Sequence, residues 1–282
     1  MQDFKKISEH VSIMGYGEND NPVMAYIHGK YGAVVVDGGA SRKQALKFRS
    51  FLGEDEKNML KAVLVTHHHW DHVFGLEGLD IPVICGESTL PWLEHMSKCQ
   101  WKQKDMDEKL KEGEIFEFTY NNMKNELGDD GVKLPIPLGV SGKTVFFLGD
   151  ADVIYSPIDS CHCDDCHTIY VKEDKILFLG DALWPNMESA VSQWYYSMES
   201  VKSMYEILMG YDADYFIDSH DDMMDRKHFD GFMKKLIFML EYSFNNRGCS
   251  YGEIEKSVPE ELKNFKTGYD EWLETAIVNC RE

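Results

Sequence analysis

Thr66-His67-His68-His69-Trp70-Asp71-His72 follows directly on the apolar run Ala62-Val63-Leu64-Val65. Four His and an Asp crowd into six consecutive positions there, a density that a solvated surface does not require. Imidazole and carboxylate together suit zinc, iron or manganese. A strand ending at Val65 would lead into a tight turn, and such a turn can aim alternate side chains at one point. His67 and His69 lie two apart and can share a metal. Asp71 and His72 can turn onto a second one. His68 then points away, to pack or to support its neighbours by hydrogen bonds. A His-rich surface loop is the plain alternative.

Working outward, Val23–Ile27 and Ala33–Asp37 read as strands, and 42–52 has helical spacing through Ala45, Leu46, Phe48 and Leu52. A strand is expected near 82–85, then one polar helix over 90–111, then a loop over 121–142. Strand signals return at Thr144–Leu148, Thr168–Val171, Ile176–Leu179 and Tyr215–Ile217, with a helix near 197–209. From about 225 the spacing of Phe229, Phe232, Leu236, Met239 and Leu240 is helical. Strands with interspersed helices and a helical tail predict a layered α/β domain.

The 282 residues, 43% of them hydrophobic, can bury a sizeable core. A formal net charge of -20 argues against nucleic acid and against an anionic membrane surface, both of which need clustered Lys and Arg. The partner expected is a small-molecule substrate, and a homodimer through the tail is left open. The first residues lack an apolar signal core and no apolar run approaches the ~18 residues of a membrane span, so a cytoplasmic location is expected. Seven Cys in a chain of this length imply no disulfide framework. Cys161, Cys163 and Cys166 are clustered beside His167. They are open to three readings: a structural zinc site, reactive thiols near a metal centre, or small residues packing a tight loop.

The run 66–72 resembles the His-x-His-x-Asp-His signature of the metallo-β-lactamase superfamily, and is especially similar to its glyoxalase II branch. The resemblance implies a four-layer αββα sandwich over residues 1–225, with an insertion at about 88–142 and a helical extension over 226–282. It also implies three later ligands: a His, an Asp bridging two metals, and a final His. His162 fits the first better than His167, because the family's ligand lies in a loop before a strand hairpin and His167 already enters the strand. Phe-Leu-Gly-Asp occurs at 147–150 and at 178–181. Only the second follows His162 and continues as Gly180-Asp181-Ala182-Leu183, similar to the family's Gly-Asp-x-Leu, so Asp181 is favoured over Asp150. His220 ends the strand Tyr215-Phe216-Ile217, with Ser219 where the family usually has Gly; His228 lies in the next helical segment.

The implied centre holds one metal by His67, His69 and His162 and a second by Asp71, His72 and His220, with Asp181 between. Two divalent ions are expected, zinc by preference, with iron or manganese compatible. A bridging hydroxide would attack an ester, thioester, lactone or phosphodiester, with Asp71 orienting it and carrying a proton. A mononuclear-iron persulfide dioxygenase and a non-catalytic metal-binding protein are the alternatives. Val73-Phe74-Gly75-Leu76 departs from glyoxalase II's Gly-rich continuation, and no basic residue of the tail aligns with a glutathione site, so thioesters are one option among several. Trp92, Trp101 and Tyr120 of the insertion, and Trp184, Trp194, Tyr195 and Tyr196 after Asp181, are candidate pocket residues, with ordinary helix-on-sheet packing as the alternative.

Overall fold

Apolar β-branched runs form strands whose successive side chains point to opposite faces. The computed structural model describes residues 3–128, 131–188, 193–266 and 270–282. Its first sheet has seven strands in chain order: β1 (Phe4–Lys6), β2 (Val11–Met14), β3 (Met24–Gly29), β4 (Gly32–Val36), β5 (Leu60–Leu64), β6 (Val83–Gly86) and β7 (Leu138–Val140). Pairing is antiparallel from β1 to β4 and parallel from β4 to β7. The second sheet comprises β8 (Thr144–Phe147), β9 (Asp152–Pro157), β10 (His167–Val171) and β11 (Ile176–Gly180). A two-stranded ribbon, β12 (Asn186–Glu188) and β13 (Gln193–Tyr195), follows. Then β14 (Tyr215–Asp218) and β15 (Met224–Asp225) complete the second sheet in the order β15-β14-β11-β10-β9-β8. The one parallel pair in it is β11 with β14.

Alternation along β4 shows how the layers stack. Val34 and Val36 turn inward and join Ile27, Leu64, Tyr155, Ile169, Phe178 and Ile217 in a core between the sheets. Ala33 and Val35 turn outward to Ala45 and Phe48. Strands covered on both faces read as near-continuous apolar runs, which is why β4, and β5 apart from the exposed Lys61, are so plain in the sequence. Helices α1 (Arg42–Phe51) and α2 (Glu54–Met59) connect β4 to β5, and the short α3 (Trp70–Val73) and α4 (Leu76–Leu79) follow β5. Ser41 caps α1 by accepting the Gln44 N–H at 3.1 Å.

The insertion departs from the expected single helix over 90–111. It holds α5 (Leu90–Met96), α6 (Gln103–Glu112) and α7 (Glu117–Leu127). The break falls where Trp101 takes φ 54, buries its ring 5.0 Å from that of Phe74 and donates Nε1–H to Met96 O at 2.9 Å. Gln103 then begins a new helix. The loop expected over 121–142 starts later, because α7 runs to Leu127. Only Met123 and Glu126 of α7 are buried, so its helical period is faint in the sequence.

Helix α8 (Met198–Met209) sends Val201, Met204 and Leu208 onto the outer face of the second sheet, against Leu177, Leu179 and Phe216. Helix α9 (Arg226–Asn245) adds Phe229, Phe232, Met233 and Leu236 to that core. Its N-cap, Asp225, accepts the His228 N–H at 2.7 Å. Helices α10 (Tyr251–Ser257) and α11 (Asp270–Val278) pack against α9 through Ile254, Leu273 and Ile277. The result is a four-layer αββα sandwich. Among the described residues no helix is long and apolar enough to cross a membrane.

Candidate metal centre

The centre lies at the ends of β5, β11 and β14 and in the loop before β10. After β5, Thr66 is fixed by Asp37, which accepts the Thr66 N–H at 2.7 Å on Oδ1 and its Oγ1–H at 2.8 Å on Oδ2. Asp37 ends β4 in a left-handed conformation, φ 58, which turns its carboxylate toward the neighbouring strand end. The chain then passes His67, His68 and His69 extended and enters α3 at Trp70. That switch points His67 and His69 one way and puts Asp71 and His72 on the first turn of the helix. Asp37 Oδ2 also lies 2.8 Å from His72 Nδ1, which leaves Nε2 of that ring facing the centre. Asp37 is not among the residues expected from the sequence.

The loop before β10 delivers His162, whose N–H is held by Ser160 Oγ at 3.1 Å and whose Nδ1 lies 3.2 Å from Pro185 O. Asp181 is the first residue beyond β11. The pairing of β11 with β14 shifts at Phe178/Gly180, and Gly180 takes φ 58 against Thr66, so the strand ends in a sharp turn. On the neighbouring strand end Ser219 N–H bonds Gly180 O at 3.2 Å, and His220 follows. Parallel pairing of β11 and β14 therefore sets Asp181 and His220 side by side.

All seven residues singled out as ligands meet. The donor atoms of His67, His69 and His162 lie within 4.8 Å of one another, and those of Asp71, His72, Asp181 and His220 form a second group within the same limit. His69 Nδ1 is 2.9 Å from His162 Nε2. Asp71 Oδ2 is 3.2 Å from His72 Nε2 and 3.1 Å from His220 Nε2. Asp181 touches both groups: its Oδ2 is 3.8 Å from His67 Nε2, 3.7 Å from His162 Nε2 and 3.4 Å from His220 Nε2. Its Oδ1 is 3.3 Å from His72 Nε2.

The residues set aside lie elsewhere. His167 stacks on Tyr155 within β10 and donates its N–H to Thr66 O. Asp150 is held by the Lys30 N–H at 2.8 Å, and His228 Nε2 lies 2.8 Å from Lys266 O. His68 turns away from the centre, as expected: its Nδ1 pairs with Asp165 Oδ1 at 2.8 Å and its ring stacks on Trp92 at 4.4 Å. Of the candidate pocket residues, Trp92 and Trp184 stand near the histidines, Trp184 being 5.8 Å from the His220 ring. Trp101 is core, and Tyr196 is buried with its OH on Leu183 O.

The donor chemistry fits cations. Burial, then neighbouring imidazoles, hold His67 and His69 well below the usual histidine range, and burial lowers His162 as well. Three neutral rings thus present lone pairs to one point. Burial alone would protonate Asp71 and Asp181, but His72 and His220 keep both carboxylates ionised. Burial would likewise lower His72 and His220, and the same carboxylates outweigh it and raise them. His67 Nε2, His72 Nε2 and Asp181 Oδ1 are buried and have no hydrogen-bond partner. An unmatched buried polar atom costs about 1–3 kcal/mol. His72 Nε2 and Asp181 Oδ1 face each other at 3.3 Å without a well-formed hydrogen bond, and a divalent ion would satisfy these two together with His67 Nε2.

Two further carboxylates went unnoticed in the sequence. Asp20 stands in the loop between β2 and β3, raised to about 6 by burial and by the charge of Asp71. Its Oδ2 accepts Asn122 Nδ2–H at 2.7 Å, which ties the loop to α7. Asp218, fully buried, is raised to about 7 by burial and by Asp181; its Oδ1 accepts the His220 N–H and Trp184 Nε1–H.

With that geometry in place, the model of the metallo-β-lactamase superfamily matches residues 20–220. The chain belongs to this superfamily. A metallo-β-lactamase from Pontibacter korlensis is 18% identical, covering 83% of this chain and 99% of its own, with a TM-score of 0.56. The stereoselective inverting sec-alkylsulfatase Pisa1 from Pseudomonas sp. is 14% identical over 97% of this chain, with a TM-score of 0.62. The match covers 47% of the sulfatase, so this chain spans about half its length. A B3 metallo-β-lactamase with an active-site glutamic acid is 16% identical over 77% of this chain and 78% of its own, with a TM-score of 0.52. These likenesses are of fold. No curated protein sequence matches the chain. The superfamily and these structural neighbours are hydrolytic enzymes, and the chain is a hydrolase of the superfamily.

Proposed function

We propose that this chain is a dinuclear-metal hydrolase in which His67, His69 and His162 hold one divalent ion and Asp71, His72 and His220 the other. Asp181 serves both. The observation that carries the reading is the place of Asp181, whose two oxygens reach nitrogens of both groups within 3.3–3.8 Å. Imidazole and carboxylate donors favour zinc, with iron and manganese compatible. Two such ions, when bound, make hydroxide available at neutral pH and polarise the bond to be cleaved.

The chain's own residues set the rest. His67 and His72 are fully buried, whereas His69, His162 and His220 keep a small exposed fraction, so substrate enters past these three. Trp184, edge-on to His220, offers an apolar wall there. Asp71 orients the attacking water and takes its proton at a carboxylate oxygen, and His220 and His72 hold that carboxylate in place. Asp37 fixes the His72 ring through Nδ1, and Asp218 holds the His220 backbone.

The bond cleaved is that of an ester, thioester, lactone or phosphodiester. The likeness to an alkylsulfatase adds a sulfate ester to the panel. Metal analysis of the purified chain should give two equivalents, mainly zinc. p-Nitrophenyl esters, S-lactoylglutathione, lactones, bis-p-nitrophenyl phosphate and a secondary alkyl sulfate, assayed side by side, should show one class turned over far above the others. A single equivalent of iron with oxygen uptake on a persulfide would replace this reading by the dioxygenase one. Metal binding with no turnover across the panel and no oxygen uptake would favour a non-catalytic metal protein.

A further inference from the structure

The loop that supplies His162 supplies a thiol as well. Cys163 Sγ lies within 4.8 Å of the ring nitrogens of His67, His69 and His162, each within the same distance of the others. Donors on one tetrahedral ion, with metal–nitrogen bonds of about 2.0–2.1 Å and metal–sulfur bonds of about 2.3 Å, stand roughly 3.3–3.6 Å apart. A small side-chain adjustment therefore brings four donors onto one centre. His67 Nε2, wholly buried and without a partner, is aimed into the same space. The fit does not depend on Cys163 alone.

The sulfur also faces a rival pair, because Cys163, His68 and Asp165 form a second close group. His68 Nδ1 and Asp165 Oδ1 pair at 2.8 Å, and Asp165 Oδ2 and His67 Nε2 are each left without a partner, so the three-histidine group is favoured by its three imidazole donors and not by a larger number of orphaned atoms. Cys166 Sγ, buried, lies 3.1 Å from Cys163 Sγ and can donate its S–H to a thiolate there. A divalent ion would take the Cys163 sulfur as a thiolate, since a coordinating thiol is deprotonated outright.

We propose that Cys163 is a fourth protein ligand of the three-histidine site, bound as a thiolate that accepts a hydrogen bond from Cys166. This rests on the metal-centre reading above. Binding exchanges the S–H bond for a sulfur–metal bond and releases one proton to solvent, with no change of oxidation state. The consequence is an unequal pair. One ion would be held by three imidazoles and a thiolate, with Asp181 as a further donor shared with the other ion, which leaves it little room for water. The other, held by Asp71, His72 and His220, keeps the open position that catalytic sites need.

The test uses the full chain stripped of metal and reloaded with Co2+. Two equivalents of cobalt should bind, with a thiolate-to-cobalt charge-transfer band in the near ultraviolet. Cys163→Ser should abolish the band, and Cys166→Ser should keep it at a shifted wavelength. X-ray absorption of the wild type needs no variant and should show a sulfur scatterer at about 2.3 Å from the metal. Two equivalents of cobalt without the band and without the sulfur scatterer would overturn the assignment and leave the dinuclear reading standing. A band surviving Cys163→Ser would overturn it too, as would a Cys163–Cys166 disulfide, two hydrogens lighter by mass, in the metal-loaded protein. Failure to bind cobalt at all would overturn both.

Discussion

Asp181→Ala is expected to leave the protein with at most one tightly held divalent ion. Its hydrolysis should fall by roughly 10²–10³, the size of effect seen when one group that stabilises developing charge is lost, here the ion that Asp181 helps to hold. The physical reason is that Asp181 reaches both groups, its oxygens lying 3.3–3.8 Å from nitrogens of His67, His72, His162 and His220. Without it, two cations would face each other across buried imidazoles with no intervening negative charge. Asp181→Asn separates shape from charge: it should keep the fold and still lose an ion. Metal content by mass spectrometry and turnover of the preferred panel substrate are the measurements, with circular dichroism to show that the variants fold. Two full equivalents and undiminished turnover in Asp181→Ala would remove the basis of the dinuclear reading.

The second large effect is expected at a residue that need not touch metal. Asp37→Asn should weaken metal binding roughly 10–100-fold, the usual result of removing the partner that orients a ligating histidine. Asp37 accepts from Thr66 N–H on one oxygen, and its other oxygen serves Thr66 Oγ1 and His72 Nδ1. An asparagine has only one acceptor oxygen. If that oxygen faces Thr66 N–H, the amide NH2 confronts the Nδ1–H of His72. If it is flipped, the NH2 confronts the Thr66 N–H. Either way His72 loses its fixed orientation or the β5 turn loosens. Competition with a chromophoric chelator reads the affinity, and an unchanged constant would show that α3 alone orients His72.

The seven meeting residues were readable in the sequence because each belongs to a local pattern: a dense run after an apolar strand, or a strand end followed by a single Asp or His. The core strands β4 and β11 were readable for a related reason, being apolar on both faces, and β5 and β10 through their apolar stretches Ala62–Leu64 and Ile169–Val171. What escaped notice depends on partners remote in the chain. Asp37 is an ordinary strand-ending Asp until folding sets it against Thr66 and His72. Asp165 matters only because His68 arrives from another layer, and Asp20 because α7 grips its loop. Strand β9 contains Asp152 and ends at Pro157, and β2 has only four residues, so neither gives a clear period. Helix α7 hides for lack of an apolar stripe, and the break before α6 is set by the buried Trp101 ring.

Side-by-side placement of Asp181 and His220 on parallel strand ends has a consequence for how the protein is made. Translation at about 5–20 residues per second puts His220 roughly 8–30 s behind His67. Through that interval the emerging chain displays an imidazole-rich turn without the Asp181 carboxylate or the final histidine. Such a half-built turn ranks ions by intrinsic affinity, which favours copper over zinc. On the proposed dinuclear reading, discrimination would begin only once β14 has docked beside β11, and the finished fold rather than the histidine turn would select the ion. Ribosome-arrested chains ending before Gly180 should take up copper in preference to zinc, and chains extending past His220 should lose that preference; equal behaviour of the two lengths would place selection in the turn itself.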